Sequence, residues 1–405
     1  MTSMPAPRAP LSLRDRSANR RIPCLGALPL GIKAVTAGLV AVVAGAGCVH
    51  ESSGISGAPV PVAETQTVPV VGYLLFNQPP GAIHAIRLPS LEASVIKPAP
   101  TRSEDRATIH ALSGPDRDGR IAYIEDHSFA ADESRQRHLL KTVRIDGTQD
   151  GEVFSRPGSA LWATTPAGHG EIGSQLALSA SGGDVAFLSG LVPVQLPAAY
   201  LHTGNLEVWN VASRTGGKRL GTVLDAGLAW FPDGQRLAFV RLLDPAALPA
   251  SAAPPAGFGE RFRAWGKVPA VFVVRLDTGV EAFLAEGWRP VVSDDGKSIL
   301  VADSEGNVRA VDVGSGRPVA FRALGRNCPG LIASPAPDQV LALCRPDVGE
   351  PVARSTRNSP LAGAKPLLTV RFIRTDSGER QAVVRAVDPR TVVSFGACAS
   401  AGGSQ

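Results

Sequence analysis

Ala229–Phe239 reads AWFPDGQRLAF: a short apolar run, a Pro-Asp-Gly turn, and a second run whose apolar residues alternate. An Asp-Gly pair between two such runs predicts a tight hairpin, because glycine accepts positive φ and the aspartate side chain caps its own turn. The pattern returns more loosely in LSGPDRDGRIAY (Leu112–Tyr123), LSASGGDVAF (Leu178–Phe187), VVSDDGKSILV (Val291–Val301) and IASPAPDQVLAL (Ile332–Leu343). An initial copy, VPVVGYLLF (Val68–Phe76), lacks the turn. Registering the apolar triplets at Val71, Ile121, Val185, Leu237, Ile299 and Val340 gives spacings of 50, 64, 52, 62 and 41 residues. Repetition on this scale is the signature of a modular architecture.

Each triplet is followed by a third strand-like run: Ala82–Leu88, Leu139–Ile145, Asn205–Val211, Ala270–Leu276, Asn307–Val313 and Leu367–Ile373. Nearly all end in short Asp/Gly/Ser turns, and a fourth run leads back to the next copy. The unit is thus a four-stranded meander of about 40 residues before insertions, the size of a propeller blade. The 229–239 copy resembles the WD40-like (PD40) repeat of TolB-type propellers, and the resemblance extends in weaker form over residues 68–398. A β-sandwich with the same alternation would lack the repetition. The run TVVSFGA (Thr391–Ala397) is left without followers, while the first unit lacks an innermost strand. If the terminal run fills that gap, the ring closes as TolB-like propellers do and no sheet edge is exposed. The expected fold is an all-β, six-bladed β-propeller; seven blades result if the terminal run instead begins an incomplete blade.

Composition agrees with a loop-rich β protein. The 405 residues are 44% hydrophobic and 19% charged, with 43 Gly, 34 Pro and 2 Met, too apolar for disorder and too rich in turn residues for a helical bundle. The net charge of +5 is not spread over the chain: residues 1–47 hold six of the 41 basic side chains and one of the 36 acids. The body therefore carries 35 of each sign and has no basic footprint for nucleic acid.

The early positive charge precedes the apolar run Ala34–Gly47 (AVTAGLVAVVAGAG), which Cys48 follows at once. Basic region, apolar region and small-residue cleavage site occur in the order of a secretory signal. The run of 14 residues is short of the ~20 that a helix needs to span a bilayer, although Leu25–Leu30 upstream of Lys33 could extend it. Ala46-Gly47-Cys48 resembles the lipobox of bacterial lipoproteins, with Gly45 departing from it where Leu, Val or Ala is usual. That resemblance implies acylation of Cys48 and an extracytoplasmic, membrane-anchored protein; an uncleaved anchor or ordinary secretion are the alternatives. Arg20-Arg21 resembles a twin-arginine signal only weakly. Residues 1–47 are thus expected as signal peptide, 48–67 (small, polar, proline-bearing) as a flexible linker, and 68–398 as the propeller.

In a four-stranded blade the loops between strands two and three share one end of the ring with the interblade loops. The long insertions are expected there: residues 125–138, 190–204, 241–269 and 345–366, with the interblade segment 155–174. The other end has tight turns only. Such asymmetry marks the decorated end as the expected working face. The longest insertion holds GFGERFRAWGK (Gly257–Lys267), concentrating Phe258, Arg261, Phe262, Arg263 and Trp265 in a chain that is only 5% aromatic. Aromatics and arginine dominate interface hot spots. The alternative is a loop that folds back and packs its own aromatics over the propeller mouth. Of the other tryptophans, Trp209 and Trp230 read as strand core and Trp288 opens a strand, while Trp162 falls in an interblade loop.

Catalytic motifs are missing: the sequence has no G-x-S-x-G elbow, no P-loop and no G-x-G-x-x-G after a strand. Glu125-Asp126-His127 with His138 puts metal-capable groups in one segment, but neighbouring charges favour a solvated loop, and His169 stands alone. No catalytic residue and no cofactor is expected. The sequence points to a non-enzymatic propeller that binds a protein or cell-envelope ligand; the alternative is a propeller hydrolase or lyase with a site in the central funnel. Cys328 and Cys344 flank the hairpin turn Pro335-Ala336-Pro337, and their midpoint is residue 336, so a symmetric hairpin places them opposite one another within disulfide range. Export permits the oxidation, and Cys398 is left unpaired.

Overall fold

The computed structural model describes residues 62–63, 70–78, 82–98, 105–129, 137–157, 176–196, 199–215, 219–249, 259–304, 306–319, 328, 330–336, 338–346, 368–387 and 393–396. The described chain is almost entirely β, in antiparallel sheets that follow one another along the sequence. A two-residue strand, β1 (Val62–Ala63), adds to the outer edge of the last sheet, so sheet pairing already begins inside the segment assigned to the linker. The first sheet is β2 (Gly72–Gln78), β3 (Ala82–Leu88) and β4 (Ala93–Lys97). The second is β5 (Asp105–Leu112), β6 (Arg120–Phe129), β7 (Arg137–Arg144) and β8 (Gly151–Pro157). A seven-stranded sheet follows: β9 (Leu176–Leu178), β10 (Asp184–Leu196), β11 (Ala199–Asn210), β12 (Arg219–Trp230), β13 (Arg236–Leu243), β14 (Val268–Arg275) and β15 (Glu281–Glu286). Then come β16 (Trp288–Val292), β17 (Ser298–Ala302), β18 (Val308–Asp312) and β19 (Pro318–Val319). The last meander is β20 (Gly330–Ala336), β21 (Gln339–Cys344), β22 (Leu368–Arg374) and β23 (Arg380–Val387). Finally β24 (Val393–Gly396) pairs with β2 in the register Tyr73↔Gly396 to Phe76↔Val393, so the C-terminal strand supplies the missing inner strand of the first sheet.

The seven-stranded sheet contains a break. The first half of β12 pairs with β11 (Asn205↔Thr222, Thr203↔Leu224), and its second half with β13 (Leu228↔Phe239, Trp230↔Leu237), with a register shift between Leu224 and Leu228. Gly227 sits in that shift at φ +135°, and a Cβ there would stand 2.6 Å from Pro290 Cδ, so the close approach of β12 to β16 requires glycine. Dividing the sheet here gives six four-stranded units, the blade count we propose; undivided, the sheets number five.

Alternate side chains of each second strand feed opposite neighbours, which explains why these strands read as nearly continuous apolar runs. In β6, Ile121 and Tyr123 join one core cluster and Ala122 and Ile124 another; in β17, Ile299 and Val301 separate in the same way from Leu300 and Ala302. The clusters lie between successive units, ending with Leu74 and Phe76 of β2 packed against Leu341 and Phe372 of the last sheet. Inner strands touch in sequence, β5 with β9, β9 with β12, β12 with β16, β16 with β20 and β20 with β24, and β2 meets β5. The sheets thus form a closed β-propeller. Val71 does not belong to the core: it precedes β2 and is 63% exposed.

The hairpin turns form as the Asp-Gly pairs predict. Asp233 Oδ1 accepts the N–H groups of Gln235 (2.9 Å) and Arg236 (3.1 Å), and Asp295 Oδ1 accepts that of Lys297 (3.0 Å). A serine precedes four of the turns. Ser113, Ser179 and Ser293 accept the N–H groups of Ala122, Asp184 and Ser298, and Ser334 donates to the Gln339 carbonyl. The best copy of the repeat has buried Phe231 in that place. These turns draw together at one end: Arg117 N–H donates to Ala180 O at 3.1 Å, and the Arg117 guanidinium reaches Pro232 O, one unit further on, at 3.5 Å.

Candidate functional site

The opposite end carries the insertions. Two of them are not loops: β6 and β7 continue their pairing through Asp126↔His138 and His127↔Arg137, and β10 and β11 continue to Leu196↔Ala199. Within the expected loops 125–138 and 190–204, residues 125–129, 137–138, 190–196 and 199–204 are therefore corrected to hairpin extensions, because their backbone groups find partners in register past the blade. In the longest insertion the ladder runs to Leu243↔Val268, followed by a 3₁₀ turn at Pro245–Ala247 and a short helix, α1 (Glu260–Ala264). Residues 250–258 of that insertion, Phe258 included, lie outside the described residues, as do 347–367, Trp162 and His169.

Helix α1 is packed down on the propeller. Gly259, at φ +71°, gives its N–H to Asp303 Oδ2 (3.3 Å), and a Cβ on Gly259 would stand 2.5 Å from Glu286 Oε1. Only glycine fits that turn over that carboxylate. Phe262 is wholly buried, edge-on to Trp265 (centroids 5.5 Å) and Trp288 (5.0 Å). Arg263 Nη2 donates to Glu286 Oε2 at 2.7 Å; the Glu286 side chain is 0% exposed and that of Arg263 39%. Trp288 Nε1 donates to Asp303 O (3.0 Å), and Arg309 Nη2 to Glu286 O (2.7 Å). Of the expected contact residues, Phe262 is thus corrected to core, since its apolar area is spent on Trp288 and the sheet beneath. Arg263 is committed to Glu286. Arg261 is exposed and Trp265 half-buried, and these two present α1 to solvent.

Burial pushes the Glu286 carboxyl above the usual range, against the opposing pull of Arg263 and Arg309. Burial likewise lowers Arg309, opposed by Glu286. This is an ion-paired anchor beneath α1.

The second polar group lies between the first two units. Tyr123 Oη donates to Asp150 Oδ1 (2.6 Å), Lys97 Nζ pairs with Asp150 (3.1 Å) and Glu125 (3.3 Å), and His127 Nε2 lies 3.0 Å from Glu125. Burial pushes Glu125 up, but the His127 hydrogen bond and the charges of Lys97 and Lys141 outweigh it and hold the carboxyl at about 2. Burial, then Asp150, raises the Tyr123 hydroxyl. Asp126 bonds His138 across the ladder on the opposite face of β6. The four metal-capable residues of this segment are therefore split two and two across the sheet, and among the described residues no set of three His, Cys, Asp or Glu is arranged to hold a metal.

Cys328 and Cys344 are joined by a disulfide, with Cα atoms 3.8 Å apart, at the root of the 345–366 insertion. The register beneath it is not symmetric about residue 336: β20 and β21 pair as Gly330↔Leu343 and Leu331↔Ala342, with shifts at Ala333 and Ala336. Cys328 therefore meets Cys344 from just before β20 rather than directly across the ladder. Cys48 and Cys398 lie outside the described residues. Trp209 and Trp230 lie in strands at the edges of two core clusters; Trp209 donates to Glu207 (2.9 Å) and Trp230 to Ala177 O (2.9 Å). The recurrent turn serine, visible in four copies of the repeat, and the Glu286 anchor were not singled out in the sequence. Glu286 carries no local signal at all.

No family model matches the chain, and no curated protein matches it. Solved structures similar to it share its fold at low identity. TolB from Acinetobacter baumannii is 14% identical over 80% of this chain and 66% of that one, TM-score 0.46, so this chain spans about two thirds of that protein's length. A chain of a nidogen/laminin complex is 12% identical (80% and 96% covered, TM-score 0.46), and an oligogalacturonate lyase in complex with manganese is 12% identical (75% and 73%, TM-score 0.42). The protein is similar in fold to TolB and related PD40-type propellers.

Proposed function

We propose that this protein is an extracytoplasmic, lipid-anchored β-propeller without catalytic activity, which binds a protein or cell-envelope ligand through its insertion-bearing end. The observation that carries the reading is the inequality of the two ends. At one, tight turns are tied to each other and, through Arg117 and Pro232, across an intervening unit. At the other stand two extended hairpins, α1 and the Cys328–Cys344 disulfide. Function concentrates on loops held by a rigid scaffold, and here the scaffold holds them at one end. Arg261 and Trp265 are the α1 residues left to meet a partner. The N-terminal order of basic run, apolar run and Cys48 supports export and acylation.

The test is recovery of partners from crosslinked membranes of the source cell. Arg261→Glu should abolish capture of a specific protein or envelope component while the melting temperature stays unchanged. Capture that survives it, and survives truncation of each extended hairpin, would reject the insertion-bearing end. Cys48→Ala should abolish acyl labelling; normal maturation in that variant would reject the lipid anchor.

A further inference from the structure

Helix α1 does not complete the polar group that it covers. Arg263 gives Glu286 one hydrogen bond, from Nη2 to Oε2, while Glu286 Oε1 is buried and has no hydrogen-bond partner. A guanidinium in line with a carboxylate makes two parallel bonds, and a buried oxygen left without a donor is costly. Gly259 accounts for the shortfall. Its main chain closes over Oε1, to which a Cβ would stand at 2.5 Å, yet its N–H turns away to Asp303 Oδ2 at 3.3 Å. The carboxylate therefore gains a second donor only when Gly259 and α1 move aside.

What α1 occupies is a pocket with two compartments. The aromatic one holds the Phe262 ring edge-on to Trp288, and the charged one, built on the wholly buried Glu286 side chain, holds the neighbouring guanidinium. These walls belong to the propeller: Glu286 ends β15, Trp288 opens β16 and Asp303 follows β17. They are braced without help from α1, since Trp288 Nε1 donates to Asp303 O and Arg309 Nη2 to the Glu286 main chain. The chain adopts positive φ on either side of α1, +71° at Gly259 and +72° at Gly266, and the β13–β14 ladder resumes at Val268. The segment can thus swing out between two hinge points while the sheet stays paired. The further tie from Lys267 to Asp244 is an exposed ion pair, which holds it only weakly.

We infer that the pocket beneath α1 recognises an arginine beside an aromatic side chain on a partner protein, and that Phe262 and Arg263 are its resident occupants, displaced on binding. The residents define the chemistry of their competitor: an apolar ring for the compartment at Trp288, and a planar cation that presents two N–H groups to Glu286. Lysine, a point charge, cannot make that fork. A partner arginine satisfies Glu286 Oε1, which Arg263 does not, and this gain lets it compete with a segment already in place. The inference rests on the insertion-bearing end as the binding face and names the partner's chemistry there.

The probe is a fluorescein-labelled peptide with the sequence of Glu260–Lys267, ERFRAWGK, added to the full chain and followed by anisotropy. It begins after Gly259, so nothing in it covers Oε1. Gly259→Ala opposes the seated α1 twice, by strain at positive φ and by its Cβ against Oε1, and leaves the pocket walls unchanged. It should tighten peptide binding about tenfold over the parent, by freeing the pocket of its resident. Phe262→Ala, which empties the aromatic compartment by another route, should tighten it as well. Adding Glu286→Gln to either variant, or placing lysine in the peptide at the position of Arg263, should weaken binding by about tenfold. Tightening in either variant that Glu286→Gln reverses supports the pocket; tightening in neither, or tightening that Glu286→Gln leaves unchanged, overturns it. If the peptide fails while Arg261→Glu still abolishes capture from membranes, the insertion-bearing end stands as the binding face without this pocket. If both fail, both readings fall.

Discussion

Truncating Phe262 to alanine separates a binding loop from a packed one. The ring is fully buried, with edge contacts to Trp265 and Trp288 at 5.5 and 5.0 Å. A buried Phe→Ala change costs about 3–5 kcal/mol, of which two aromatic contacts supply roughly 1–3 kcal/mol. In a domain of about 330 residues each kcal/mol lowers Tm by roughly 1.4 °C, so the expected drop is roughly 4–7 °C. Thermal unfolding followed by circular dichroism reads it, with Arg261→Ala as the control on the exposed face of α1, expected within about 1 °C of the parent. If Phe262→Ala leaves Tm unchanged and abolishes partner capture, the ring is a contact residue and the burial argument is wrong.

Arg263→Ala strands the Glu286 carboxylate in the core and should cost about 1–3 kcal/mol in chemical denaturation, and adding Glu286→Gln should restore most of it. A double variant no more stable than the single one would remove Arg263 as the partner that matters. The Glu125 carboxyl is held at about 2, below its ordinary 4.5, so its contribution is complete above the ordinary value and is lost as pH falls through the window toward 2. The stability gap between the parent and Glu125→Gln should therefore close on acidification across that window; a gap that stays constant contradicts the ion-pair cluster. Cys344→Ser opens a loop of about 15 residues and should cost up to ~3 kcal/mol, and mass spectrometry of the unreduced protein should show a Cys328–Cys344 linkage, with a Cys344–Cys398 linkage ruling it out.

Much of the architecture was written locally. Alternation in the second strands, the Asp-Gly turns and a stray C-terminal run specify a meander, its turn chemistry and its closure, because each depends on a residue and its near neighbours in the chain. The third-strand runs fell close to the observed strands, as at Ala82–Leu88 and Val268–Arg275. What the tertiary structure alone decided is where a side chain goes once the chain leaves the repeat. Aromatics and arginines have the same composition in a contact loop and in a packed one, and it was Trp288 and Glu286, both more than 20 residues onward in sequence from α1, that drew Phe262 and Arg263 inward. The segments 125–138 and 190–204 looked like loops because their polar or uncharged residues break the core pattern. Their described residues, 125–129, 137–138, 190–196 and 199–204, are strand because a ladder needs only backbone groups and a partner in register, and the partner is fixed by the fold. The same register places Glu125 with His127 on one face and Asp126 with His138 on the other, so a period of two, visible in the sequence only once a strand is assumed, kept four metal-capable groups from meeting.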